Sequence, residues 1–229
     1  MSITLTWHGH ATFSLDVDGT KLIIDPFLKG NNPVAQISAD EIDVDYILLT
    51  HGHGDHVADA IPLAKRCGAT IIANFEICNW FDAQGIDKTH GQHIGGGFTH
   101  PFGHVKLTPA WHGSAMPDGS YGGMPAGLLL TLGDKKIYIA GDTGLFSDMQ
   151  LIGRGGLDLA ILPIGDNYTM GVDDSIEAIK YLQPKAVIPC HYNTFEVIEV
   201  DVANWAERVR AETEAEPIVL DIEGRHTVS

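Results

Sequence analysis

Three imidazoles and one carboxylate fall within the six residues His51-Gly52-His53-Gly54-Asp55-His56, directly after the apolar run Tyr46-Ile47-Leu48-Leu49. His112, Asp142 and His191 stand singly further along, and each also follows an apolar, strand-like run. Imidazole and carboxylate together suit zinc, iron or manganese, whereas calcium and magnesium prefer oxygen donors alone. The seven donors His51, His53, Asp55, His56, His112, Asp142 and His191 are too many for one tetrahedral ion. They suit two divalent transition-metal ions, zinc first and manganese or iron as alternatives, if one carboxylate bridges; Asp142 is the natural bridge. Water held between two such ions has its pKa lowered toward ~7, so the expected chemistry is attack by a metal-bound hydroxide on a carbonyl or phosphorus. Asp55 or Asp142 would take up the proton. The chain has no Gly-x-Ser-x-Gly elbow, and Cys190 alternates away from its neighbour His191 toward the core.

Elements must hold these donors together. Ile3 to Trp7, Thr12 to Val17 and Lys21 to Ile24 read as a β-meander with a hairpin at Asp18-Gly19, ending at Asp25-Pro26. Asp45 to Thr50 is a short buried strand, Val57 to Arg66 a helix closed by Gly68, Thr70 to Ala73 a strand and Phe75 to Ala83 a helix. Residues 89–104, with several glycines and His90, His93, His100 and His104, have the composition of a loop, either a lid or a plain connector. Val105 to Trp111, Leu128 to Leu132, Lys136 to Ala140, Leu157 to Ile164, Ala186 to Pro189 and Ile218 to Ile222 read as strands. Asp173 to Leu182, capped by Asp173 or Asp174, and Val202 to Glu212 read as helices. A β-rich opening and a helix-bearing segment occur in each half, so the pattern predicts an α/β single domain over 1–229 with two sheets packed between helices. Strand ends then converge on one rim, where loops project side chains.

Asp25 sits at such a strand end. It reads as a turn residue before Pro26, with its carboxylate at the strand's C-terminal edge. His8 and His10, two apart in a strand, face one side and both reach toward the rim; His10 is a candidate for contact with substrate or a site loop, or for a hydrogen bond within the meander.

The net charge of −16 leaves little positive field for polyanions, which argues against nucleic acid and leaves a small-molecule substrate as the expected partner. No run approaches the apolar length of a membrane span, and the N-terminus lacks a secretion signal. Cys67, Cys78 and Cys190 form no CxxC pair, which fits a reducing, cytoplasmic compartment. Phe98, Phe102 and Met116, read as exposed in the glycine-rich loops, leave an oligomer open.

His-x-His-x-Asp-His after a strand, followed by His112, Asp142 and His191 in that order, resembles the metallo-β-lactamase superfamily over nearly the whole chain. Trp7-His8-Gly9-His10-Ala11-Thr12, Ile24-Asp25-Pro26 and His191-Tyr192 resemble its branch of metal-dependent hydrolases related to ascorbate 6-phosphate lactonase and, more distantly, to N-acyl phosphatidylethanolamine phospholipase D. The resemblance implies a four-layer αββα sandwich of two mixed β-sheets. It implies that His51, His53 and His112 hold one ion, Asp55, His56 and His191 the other, Asp142 both, with Asp25 behind them. Asp142 stands where dinuclear β-lactamases of the superfamily carry cysteine, and His53 where flavodiiron oxidoreductases carry glutamate. The RNA-binding arm of the related nucleases has no counterpart here. The reading is therefore a hydrolase of a small ester, lactone, thioester or phosphodiester. Its alternatives are a noncatalytic metal-binding or ligand-sensing module on the same fold, or a nuclease.

Overall fold

The strands sort themselves by the two-residue alternation of their apolar side chains. The computed structural model describes residues 2–228. Its opening meander is β1 (Ile3–Gly9), β2 (Thr12–Val17) and β3 (Thr20–Ile24), with Asp18 and Gly19 at φ 48° and 89°, the backbone that a two-residue hairpin loop demands. Strands β4 (Tyr46–Leu48), β5 (Thr70–Asn74) and β6 (Thr89–Gln92) extend it in parallel, and β14 (Arg225–Thr227) closes the other edge against β1. The second sheet contains β7 (Gly97–His100), β8 (Gly103–Pro109), β9 (Ala126–Leu132), β10 (Lys135–Ile139), β11 (Leu157–Pro163), β12 (Pro184–Cys190) and β13 (Glu216–Pro217). The orders are β14-β1-β2-β3-β4-β5-β6 and β13-β12-β11-β10-β9-β8-β7.

Leu22, Ile24, Leu48 and Ile72 point between the sheets, where they join Phe13, Leu15, Leu107 and Leu128. Their neighbours Ile23, Ile47, Leu49, Ile71 and Ala73 point the other way, onto Leu63 of α2 (Ala60–Cys67) and Ile77 and Phe81 of α3 (Phe75–Ala83). Slipping any of these strands by one residue would exchange the two faces, so the alternation fixes register as well as layer. On the second sheet, α5 (Val172–Leu182) and α6 (Val202–Glu212) bury Ile176, Ile179, Trp205 and Val209. The result is the expected αββα sandwich of two mixed sheets. Among the described residues no helix is long and apolar enough to cross a membrane.

Four local expectations are corrected. The histidine-bearing stretch 89–104 is not a loop but two edge strands and the start of a third: β6 pairs with β5, and β7 forms a hairpin with β8. Edge strands draw their stability from main-chain pairing on one side, so side-chain composition there says little; Gly97 pairs with Lys106, and any Cβ on it would collide with the His104 ring. The helix expected from Val57 is broken into α1 (Gly54–Val57) and α2, because the Asp59 amide donates to the Pro26 carbonyl and its carboxylate accepts from Leu28 N at 2.7 Å and Asn31 Nδ2 at 3.0 Å. Helix α5 starts at a Gly171 cap, with Asp173 and Asp174 inside its first turn, where carboxylates favour the positive helix end. Ile218 to Ile222 is not a strand. It is a crossing that leaves β13 at Pro217 and packs Ile218, Leu220 and Ile222 on the core before β14 rejoins the first sheet.

Of the apolar residues expected on the surface, Phe98 is exposed, but Phe102 and Met116 are buried. Phe102 stacks on His100 with ring centroids 5.4 Å apart, and Met116 lies against Gly52 beneath the histidine cluster.

Candidate metal centre

Strands β3, β4 and β5 run in parallel in one sheet, and β10, β11 and β12 in the other, so each group releases its C-terminal ends on one rim. Asp25 follows β3, the 50–56 segment follows β4, Asp142 follows β10 and His191 follows β12. His112 leaves the end of β8. The backbone turns sharply at these points: Asp25 and His191 sit at φ 46° and 54°, left-handed values that non-glycine residues rarely adopt and that cluster at functional sites. Gly141, at φ 63° beside Asp142, is packed so closely on Thr50 that a Cβ would come within 2.9 Å of it.

The donors meet around one atom. Asp142 Oδ2 lies 3.1 Å from His191 Nε2, 3.4 Å from His56 Nε2, 3.5 Å from His112 Nε2 and 3.9 Å from His51 Nε2. On one side His53 Nδ1 stands 3.1 Å from His51 Nε2 and 3.2 Å from His112 Nε2. On the other, Asp55 Oδ2 lies 3.8 Å from His56 Nε2 and 3.9 Å from His191 Nε2. Three groups with mutual spacings suited to a cation result: His51, His53 and His112; Asp55, His56 and His191 together with His10; and, behind them, Asp25, His51 and His56.

Whether a cation fits is answered by the buried atoms. His56 Nε2, both ring nitrogens of His191 and Asp142 Oδ1 are buried with no hydrogen-bond partner. His56 and His191 approach Asp142 closely, but not in hydrogen-bonding alignment. Leaving such a group unsatisfied costs about 1–3 kcal/mol, so several at one spot need a compensating ligand. The electrostatics agree. Burial favours the neutral form of Asp142, yet His56 and His191 outweigh it and hold the carboxyl well below its ordinary range. Burial likewise opposes charge on His56, and Asp142 and Asp25 outweigh it and raise its pKa well above the usual value. His51 and His112, where burial dominates, are pushed down and stay neutral. The cluster thus calls for positive charge at its centre while keeping imidazole lone pairs available, which a divalent cation satisfies.

The hydrogen bonds behind the cluster orient it. Asp25 Oδ1 accepts from Thr50 N at 2.8 Å, and Oδ2 accepts from Thr50 Oγ1 at 2.6 Å and from His56 Nδ1 at 2.8 Å. A carboxylate accepts, so His56 carries a hydrogen on Nδ1, and Nε2 is the nitrogen left to meet an ion beside Asp142. Because the Thr50 hydroxyl hydrogen goes to Asp25, its oxygen accepts from His51 Nδ1 at 3.0 Å, and His51 also bares Nε2. One carboxylate thereby sets two tautomers, one directly and one through a threonine. Thr12 secures the turn, donating to the Asp25 carbonyl at 2.7 Å and accepting from Phe27 N at 3.0 Å.

His8 and His10 part company. A register shift between Trp7 and Gly9, with Gly9 at φ 99° and His10 at φ 54°, breaks the alternation that would have placed them on one side. His8 bonds Glu223 at 2.9 Å and Ser14 at 2.8 Å, away from the cluster. His10 is buried in the site: its Nε2 donates to Asp55 Oδ2 at 3.1 Å and its Nδ1 accepts from the Thr194 hydroxyl at 2.9 Å. Burial lowers its pKa to about 4, so it acts as a neutral donor. Burial would raise the Asp55 carboxyl, but the His10 hydrogen bond and the nearby imidazoles outweigh it and depress it. Thr50 and Thr194 escaped the sequence reading. Their only signal was nearness to donor residues, Thr50 directly before His51 and Thr194 three residues after His191, and a threonine near a histidine has many structural uses. Asp55, with its side chain 32% exposed, His112 and His53 form the open side.

Two mixed sheets between helices, with histidines and aspartates gathered at the strand ends, define a metallo-β-lactamase fold. The beta-lactamase superfamily domain matches residues 20–192. A UPF0173 metal-dependent hydrolase of Heliobacterium modesticaldum is 50% identical over 224 residues, covering 94% of this chain and 93% of the relative. The solved structure of Igni18, a metallo hydrolase from Ignicoccus hospitalis, superposes with a TM-score of 0.91 at 33% identity, covering 100% of this chain and 99% of that one. The metallo-beta-lactamase fold protein YhfI from Bacillus subtilis, at 14% identity, shares the fold with a TM-score of 0.77 over 99% of this chain and 100% of its own. The chain belongs to the beta-lactamase superfamily, among relatives named metal-dependent hydrolases.

Proposed function

We propose that this protein is a dinuclear metal-dependent hydrolase that acts on a small ester, lactone, thioester or phosphodiester. The observation that supports it most is the convergence of four imidazole Nε2 atoms on Asp142 Oδ2, with buried ring nitrogens and a carboxylate oxygen left unsatisfied around it. His51, His53 and His112 would hold one divalent ion, Asp55, His56 and His191 the other, and Asp142 both. Zinc suits the donor set, as do manganese and iron. When bound, such ions supply an activated water and polarise the scissile bond.

The chain's own residues do the rest. Asp25 keeps hydrogen on His56 Nδ1 and, through Thr50, on His51 Nδ1, so both imidazoles present lone pairs inward. His10 pins Asp55 Oδ2, and Asp55, partly exposed on the open side, accepts the proton of the attacking water. Residues 1–229 act as one domain in this reading, and the protein works in the cytoplasm.

Elemental analysis coupled to a turnover screen tests it. About two transition-metal ions per chain, with cleavage of at least one ester, lactone, thioester or phosphodiester, is the expected result. Purified protein that takes up no transition metal, or that is fully loaded and cleaves none of these bonds, overturns it.

A further inference from the structure

Four large aromatic side chains are exposed on the loops at the second sheet's C-terminal rim; Tyr121 lines a cavity with Asn74 and His93, and the other three are tied to the donor-bearing segments. Trp111, 70% exposed, directly precedes His112 and is tied to the Asp142 loop: its N–H donates to Thr143 Oγ1 at 2.9 Å, and its carbonyl accepts from Gly144 N at 3.1 Å. Tyr168, 57% exposed, tops the loop after β11, which is joined to the same segment by Met170 N to the Thr143 carbonyl at 2.9 Å. That loop holds Asp166 and Asn167 at φ 59° and 47°, a strained backbone that lifts Tyr168 outward. Phe195, 40% exposed, follows His191 and meets the His10 ring edge-on, with centroids 5.6 Å apart. Exposed aromatics are expensive to hydrate, and three around a polar floor mark a binding mouth.

The second observation is what these loops lack. The segments 8–12, 25–28, 50–56, 110–125, 140–147, 164–171 and 190–198 contain no lysine or arginine, and they contribute the acids Asp118, Asp166 and Glu196 besides the donors. A phosphoryl group is ordinarily gripped by arginine or lysine forks. Here the carboxylates Asp25, Asp55 and Asp142 nearly cancel two divalent ions, and nothing else on these loops offsets a further negative charge. The binding energy that the rim offers is apolar.

We propose that the site takes an uncharged carboxylic ester, thioester or lactone carrying an alkyl or aryl group, which Trp111, Tyr168 and Phe195 hold, and that phosphate esters are discriminated against. This rests on the hydrolase reading and selects within it. Reaction is ordinary acyl hydrolysis: the acyl carbon–heteroatom bond breaks, water supplies oxygen to the acid, and the leaving group takes the proton.

The zinc- or manganese-loaded protein is assayed on p-nitrophenyl acetate, butyrate and hexanoate and on bis(p-nitrophenyl) phosphate, with calorimetric binding of acetone and 2-octanone alongside. Each methylene buried on the rim tightens binding, so kcat/KM should rise about ten-fold or more from acetate to hexanoate, and every ester should exceed the phosphodiester. The triple variant Trp111→Ala/Tyr168→Ala/Phe195→Ala should lose that slope through KM while keeping metal content; Tyr168→Phe should keep the slope. 2-Octanone should bind about ten-fold tighter than acetone, only when the rim is intact. Esters turned over with no chain-length slope, a slope unchanged in the triple variant, or preference for the phosphodiester overturns the rim assignment and leaves the hydrolase reading standing. Rim-dependent binding of 2-octanone without turnover of any substrate would overturn the hydrolase reading and support the rim.

Discussion

Two histidine-rich regions of this molecule have opposite fates. The 50–56 segment leaves a central parallel strand and meets Asp25, Asp142, His112 and His191, so its imidazoles face carboxylates and unsatisfied buried atoms. The 90–104 segment lies along two sheet edges, and its imidazoles face rings: His90 packs on Phe98 at 4.3 Å, and His100 packs on Phe102, Tyr46 and His90. Among the described residues its one side-chain hydrogen-bond partner is a hydroxyl, Thr99, beside His104, and although His100 Nε2 is buried without a partner, no carboxylate pairs with it. Histidine density alone therefore does not make a metal centre. What does is convergence of strand ends from two sheets with carboxylates among them, because only a buried anion calls for the charge that an ion supplies.

The contrast can be broken experimentally. The largest effect should come from Asp142→Asn, which removes the shared anion: kcat/KM is expected to fall by about 10³-fold or more, with loss of bound metal by elemental analysis. Asp25→Asn should weaken metal affinity by about 10–100-fold, because a neutral amide no longer fixes the tautomers of His56 and His51; Thr50→Val should act through His51 alone and fall at the lower end. Competition with a chromogenic chelator reads both, and unchanged affinity in Asp25→Asn would remove it from the site.

Stripping the ions should lower thermal stability by a margin that grows with their occupancy, about 2.7 kcal/mol for ligand at 100-fold above its dissociation constant. A scanning calorimetry trace that ignores the chelator would count against binding to the folded state. The same treatment of His90→Ala and His104→Ala should give the wild-type difference, since those rings lie outside the cluster.

The smallest effect concerns pH. Burial lowers the His100 pKa to about 4 from its ordinary 6.5. Between these values the unfolded chain binds a proton that the folded chain refuses, so stability falls as pH drops from 6.5 toward 4 and the loss is complete below that. His100→Phe, which keeps the stacking on Phe102, should flatten this part of the denaturation-midpoint profile without touching metal content. A changed metal content would mean that the second histidine region communicates with the first.

The sandwich was legible because its signals are local: the meander of β1 to β3, the helices after β4 and β5, and the period-two alternation that splits Ile23 from Leu22 and Ile24. That these histidines and aspartates gather at one rim was legible for the same reason, since each follows an apolar run whose end must reach a rim. The misreadings share a cause. Gly91, Gly95, Gly96 and Gly97 suggested a loop at 89–104, but edge pairing depends on a partner strand and not on the residues themselves. His8 and His10 looked equivalent until a bulge at Gly9 turned one outward to Glu223 and the other inward to Asp55.

By itself the sequence determined which residues carry lone pairs and at which strand ends they stand, because both follow from residue type and short-range periodicity. Tertiary structure alone decided how those lone pairs point. Asp25, Thr50 and His56 come from separate segments, and so do His10, Asp55 and Thr194; hydrogen-bond direction is set by which donor and acceptor are brought face to face across the two sheets.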